Sequence, residues 1–151
     1  MIRGSLIVTE FPVSIEETIQ QMKRLIESYW ADVSGYALYS LDEIFDFVRR
    51  IPYVKDVDQP DGNRAEEVLQ RPSITIANGG DCDDKVVLMA ALLRNADIPC
   101  RIVTVAYNPS TLEHVHTYIE VLLDGQWQPM DATYEENMIF YEHPYAEKKV
   151  W

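Results

Sequence analysis

Ile15, Ile19, Met22, Ile26 and Tyr29 recur at helical spacing near the start of the chain. They form one apolar stripe and predict an amphipathic helix over about 14–30. Ser14-Ile15-Glu16-Glu17 is a capping box that marks its start. A second box, Ser40-Leu41-Asp42-Glu43, opens a second helix with apolar Leu41, Ile44, Phe45, Phe47 and Val48, which Pro52 stops. From Asp81 to Ala96, Val86, Val87, Met89, Ala90, Leu92 and Leu93 fill more than one stripe, so this helix is expected to be buried on most sides. Arg101–Tyr107, Val115–Leu123 and Gln126–Met130 read as strands, and Asp124-Gly125 is a hairpin turn between the last two. Between these elements, Leu6–Thr9 reads as a short strand or extended arm. Residues 56–63 read as a loop, Arg64–Gln70 as a short helix ended by Arg71-Pro72, and Ile74–Gly80 as a connector. The tail from Tyr134 to Trp151 is aromatic and mixed in charge, and no element is assigned to it. Helices followed by an antiparallel sheet make an α+β arrangement.

The 151 residues, 47% apolar, suit one domain spanning 1–151. No stretch approaches the ~18–20 apolar residues of a membrane helix. Met1 to Pro12 has one basic residue and a short apolar run, unlike a secretory signal. The expectation is a soluble, cytoplasmic protein with no membrane partner. A net charge of −12, from 25 acidic and 13 basic residues, argues against a general nucleic-acid binder, which needs cations for phosphates. Two cysteines without Cys-x-x-Cys, and three histidines, match neither a structural zinc site nor a disulfide framework. No metal or cofactor is expected.

Cys82 is the residue through which the chain could do chemistry. A cysteine attacks as thiolate, and a thiol of pKa ~8.5 is mostly protonated at neutral pH. Cys82 follows Gly79-Gly80-Asp81 at the first turn of a long helix, where backbone N–H dipoles favour negative charge. Asp81, Asp83 and Asp84 oppose the thiolate if they face it, so an imidazole must then dominate. His116 lies on the predicted strand His116-Thr117-Tyr118-Ile119-Glu120-Val121, where alternation groups His116, Tyr118 and Glu120 on one face. His114 shares that face if the strand begins there, and is an alternative base. A third group should orient the imidazole. With Leu123 opposite Gln126, His116 faces a position near 133, within side-chain reach of Asp131.

Gly80-Asp81-Cys82-Asp83-Asp84, the apolar helix to Leu92-Leu93-Arg94, and Ile98-Pro99-Cys100-Arg101 resemble the core of the transglutaminase-like superfamily. So do His116-Thr117-Tyr118-Ile119-Glu120-Val121, Asp124-Gly125-Gln126-Trp127 and Met130-Asp131-Ala132-Thr133. The resemblance covers about residues 40–134. It implies a papain-like α+β core, with N-terminal helices and a central helix carrying the cysteine against an antiparallel sheet that carries His and Asp. Carried over, these are Cys82, His116 and Asp131. The implied activity is that of a cysteine-dependent amide hydrolase or acyl transferase acting on a protein or peptide through a thioester. The family also includes inactive members, which makes a binding or assembly module the alternative. The short Gly-Asp-Cys-Asp-Asp form is similar to proteins of phages and prophages, which would make the protein virion-associated. Tyr118 stands where the family has Trp, and Ala96-Asp97 where it has Gly before Ile98. The Cys82 backbone N–H is the default oxyanion donor, with Asn78, Tyr53 and Tyr118 as supporting side chains.

Each feature also has a plainer role. Cys100 and Trp127 are expected in the core, and Cys82 alone would be. Asp83 and Asp84 are expected as helix-start charges, with calcium or substrate amine as the other use. Gly79-Gly80 is a turn or a place of close substrate approach. Glu120 is expected as a structural carboxylate on the active-site face, paired with Arg101.

Overall fold

The computed structural model describes residues 2–3, 6–10, 14–55 and 66–151. Ser14 caps helix α1 (Ile15–Tyr29), its Oγ accepting from the Glu17 N–H at 3.1 Å. A 3-10 turn, Trp30–Tyr36, follows. Ser40 caps α2 (Leu41–Arg49) in the same way. Both starts follow from a side-chain oxygen taking a backbone N–H that the helix leaves unbonded.

Three expectations before the central helix fail: the helix 64–70, its end at Arg71-Pro72, and the connector 74–80, most of which is helical. Glu66–Gln70 is a strand, β3, and not part of a helix. It pairs antiparallel with β2 (Leu6–Glu10), which also pairs with β1 (Ile2–Arg3). The pairing is long-range, and local sequence does not announce it. Pro72 starts a helix, α3 (Pro72–Asn78), and does not end one. Proline lacks the N–H that a first helical residue does not use, and its φ is already helical. The expected loop 56–63 lies outside the described residues, as do Arg64 and Ala65.

Helix α4 (Cys82–Asn95) runs through the centre, with every residue from Asp84 to Leu93 buried. Asp81 and Asp84 form a capping box: Asp81 Oδ1 accepts from the N–H groups of Asp83 and Asp84, and Asp84 Oδ2 accepts from the Asp81 N–H. At the other end Ile98 N–H bonds Leu93 O at 2.9 Å and Asp97 N–H bonds Arg94 O at 3.2 Å. Asp97 takes φ of +57°, filling the left-handed position that glycine usually holds in this cap.

The second sheet has strand order β6-β5-β4-β7, from β4 (Cys100–Ala106), β5 (His114–Leu123), β6 (Gln126–Met130) and β7 (Glu147–Val150). β7 lies in the unassigned tail and pairs with β4. β5 and β6 pair with Leu123 opposite Gln126, and Asp124 and Gly125 both adopt positive φ, as a two-residue Asp-Gly turn requires. One sheet face, with Ile102, Ile119 and Val121, joins α1, α2 and α4 in the main core. The other carries Val103, Val105 and Tyr118. Trp127 is 36% exposed, not in the core, and its ring lies under the Arg101 guanidinium. No helix among the described residues is long and apolar enough to cross a membrane.

Candidate active site

Cys82 is the first residue of α4, and its position is set by the turn before it. Gly79 takes φ of +77°, and a Cβ there would meet Pro52 O at 2.6 Å. At Gly80 a Cβ would meet Asp84 Cβ at the same distance. The close approach these glycines allow is therefore of the protein to itself. Gly80 exchanges backbone hydrogen bonds with Pro52 and Val54, which lays Tyr53 along the turn. Gln70, at the end of β3, ties the turn further. Its backbone N–H donates to Asp84 Oδ1 at 2.9 Å and its side-chain amide to Gly79 O at 2.8 Å. Asp84 is thus a buried structural carboxylate.

His116 and Asp131 are brought together across the hairpin: His116 Nε2 lies 2.7 Å from Asp131 Oδ2, and both side chains are at most 10% exposed. Asp131 Oδ1 accepts from the Thr133 hydroxyl at 2.6 Å and the Thr133 N–H at 3.1 Å, and Asn137 Nδ2 donates to its backbone oxygen. Burial would raise the Asp131 carboxyl, but the His116 ring and the two Thr133 donors outweigh it and hold it below the usual carboxylate range. His116 Nδ1 is then the ring nitrogen left for a thiol. Tyr107 stacks on the His116 ring at 6.3 Å between centroids, and the Tyr118 ring lies 5.6 Å from it.

Cys82 is half-buried and free, and the Thr117 backbone N–H, one residue after His116, is near enough to its sulfur to favour the thiolate. The thiol lies 3.8 Å from Asp83 Oδ1. Burial, then the carboxylates of Asp83 and Asp81, pushes the thiol well above its ordinary pKa, and the Thr117 N–H only partly offsets them. These directions favour a thiol as the resting side chain. The sequence pattern shows the opposition of these aspartates but not its outcome. Cys100 is also free, with burial raising its thiol to about 11.

The supporting side chains divide. Tyr53 is at the site, its hydroxyl donating to that of Tyr134 and its ring 5.2 Å from the Tyr134 ring, with the Cys82 sulfur among the groups that raise both phenols after burial. The Tyr118 hydroxyl donates to Glu142. That bond commits it away from a developing oxyanion. Asn78 is exposed at the end of α3 and makes no polar contact with the Cys82 sulfur. His114 is separated from His116 by a bulge. Val105 pairs with His116 and Ala106 with His114, which leaves Val115 unpaired and turns His114 to the opposite face. There it meets Thr104 Oγ1 at 2.7 Å and Glu147 Oε1 at 2.8 Å. Glu120 pairs with Arg101 at 2.8 Å, and Lys148 joins them.

Lys85, Tyr107, Tyr134 and Asn137 also stand at or beside the site, and the sequence reading misses them. Lys85 is buried in α4, and its Nζ donates to Thr133 O at 2.7 Å. A lysine directly before the apolar run Val86–Leu93 is the signal that could have found it. Among the described residues no group of three or more His, Cys, Asp or Glu side chains is arranged to hold a metal ion.

No curated protein matches the chain. A crystal structure of a candidate cysteine protease from Cytophaga hutchinsonii is similar at 17% identity with a TM-score of 0.44. The match covers 85% of this chain and 49% of that one, so the chain spans about half the length of that protein. The model of the transglutaminase-like superfamily matches residues 28–132, from the end of α1 past Asp131, and the chain belongs to that superfamily.

Proposed function

We propose that this domain transfers acyl groups through Cys82, attacking an amide or ester carbonyl of a protein or peptide with His116 as base and Asp131 orienting the imidazole. The observation that carries this reading is the 2.7 Å bond between His116 Nε2 and Asp131, which lines one cavity with Cys82 at the start of α4. It leaves Nδ1 to take the thiol proton. Because the resting side chain is a thiol, the proton moves to His116 as Sγ bonds to the carbonyl carbon and the carbonyl electrons shift to oxygen. The Cys82 backbone N–H, unused inside the helix, is the nearest donor for that oxygen. As the tetrahedral species collapses, the imidazolium protonates the departing amine or alkoxide, and a thioester remains. Water then gives hydrolysis and an amine gives transfer.

p-Nitrophenyl acetate tests this without knowledge of the substrate. An acetyl thioester should form on Cys82, visible by mass spectrometry. Cys82→Ala should abolish it, and His116→Ala should slow it by about 10²–10⁴-fold. With a primary amine added, growth of the amide at the expense of acetate marks transfer, and acetate alone marks hydrolysis. Absence of the adduct, or wild-type acylation by His116→Ala, overturns the reading.

The raised thiol and the nearby Tyr53, Tyr107 and Tyr134 favour a second reading, a weakly active or inactive module that binds a peptide beside Cys82. Failure to acylate in a folded protein would select it.

A further inference from the structure

Lys85 lies one helical turn after Cys82, is 2% exposed and has no role in the chemistry above. Its ammonium donates to the carbonyl oxygens of Thr133 at 2.7 Å and Ala132 at 3.5 Å, the two residues that follow Asp131. Lys85, Cys82, Asp131 and Thr133 line one cavity of about 10 Å³. A buried cation is expensive unless its protons are placed, and two of the three are placed on the turn that carries Asp131.

We propose that Lys85 is a positioning residue: its ammonium fastens the Asp131–Thr133 turn to the helix that carries Cys82, and so sets the Asp131 carboxylate against His116. The link is a rigid one. Asp131 reaches His116 with one oxygen and Thr133 with the other, so movement of Thr133 moves both. Lys85 and Asp131 also couple through charge. Burial lowers the lysine to about 8, while Asp131, then Glu135 and Glu136 of the following segment, act in the opposite direction. Cys82 faces the same cavity from the lysine's own helix.

This inference rests on the proposed roles of Cys82, His116 and Asp131, and its test separates the two. The probe is again acylation of Cys82 by p-nitrophenyl acetate. Lys85→Met should acylate about 10- to 100-fold more slowly than wild type. Asp131→Asn should be slow as well, and the double variant no slower than the slower single one, because both changes act through one link. A double variant as slow as the product of the two effects overturns the proposal, as does wild-type acylation by a folded Lys85→Met. If His116→Ala and Asp131→Asn also acylate normally, the proposed function itself fails. If only Lys85→Met does, this inference alone fails.

NMR of Cys82→Ser protein keeps the proposal testable should Lys85→Met not fold. The His116 Nε2 signal, which reports its bond to Asp131, should shift as Lys85 Nζ loses its proton. A His116 curve that does not respond as Lys85 loses its proton overturns the coupling.

Discussion

The carboxylate of Asp83 lies 3.8 Å from the Cys82 sulfur and is one of the charges that keep it a thiol. Replacing it with asparagine removes the charge and keeps the shape. A unit charge pair at that distance is worth about 1 kcal/mol in bulk water and about 4 kcal/mol at an effective dielectric constant of 20. Both residues are half-buried, so water screens much of the interaction. The lower part of the range, about 1–2 kcal/mol, corresponds to a gain of about 5- to 30-fold in thiolate at a pH below the titration. The sign is fixed: a nearby anion destabilises the thiolate, so its removal favours it. The assay is iodoacetamide alkylation of Cys82 in a Cys100→Ser background, followed from about pH 6 to about pH 10, where thiolate supplies the reactivity. Asp83→Asn should move the rate profile towards acid and raise the neutral-pH rate by about 5- to 30-fold. It should remain slower than an ordinary exposed thiol, because burial is the first cause of the shift and is unchanged. Asp124→Asn, at the far end of β5, should change nothing. A profile that stays in place, or moves towards alkali, would refute the electrostatic account of the resting thiol. The helix start should lose about 0.3–1 kcal/mol of dipole stabilisation, so a small fall in Tm should accompany the faster rate.

Other outcomes test the frame around the site. Glu120 is buried between Arg101 and Lys148. Burial alone would raise its carboxyl, but the two cations hold it below its ordinary value of 4.5. Its stabilisation is present above that value and lost as pH falls through the lower folded value. Glu120→Gln should cost about 2 kcal/mol at neutral pH, and the Tm gap to wild type should close in acid. A gap independent of pH would show that the network does not act through charge. At the C-terminus of α4, Asp97→Gly relieves a left-handed residue and removes a negative charge from the carbonyl end of the helix. Thermal unfolding should show a gain of about 1 kcal/mol, or about 2–4 °C, and a fall in Tm would show that another Asp97 contact matters more.

The features legible in the sequence are those set by neighbours along the chain. The Ser14 and Ser40 caps, the buried periodicity of α4 and the Asp124-Gly125 turn depend on residues within a few positions of one another. Because a two-residue hairpin fixes its own register, the approach of Asp131 to His116 also follows from the turn and the strands it joins. What the sequence could not announce depended on contacts between distant segments. Residues 66–70 are a strand only because β2 lies beside them. His114 leaves the face of His116 because a bulge intervenes, and alternation alone cannot place a bulge. Whether Cys82 rests as thiol or thiolate was decided by burial together with the directions of Asp81 and Asp83, which are properties of the packed molecule. Lys85 is the clearest case. Along the chain it is a charge at the edge of the apolar run Val86–Leu93, and its partners, the carbonyls of Ala132 and Thr133, come within reach only when α4 packs against the end of β6. Local rules determined which residues are the candidates for the chemistry and roughly where they meet. Tertiary packing decided the electrostatic state in which they meet, because desolvation and Coulomb interaction depend on distances that only the folded chain sets.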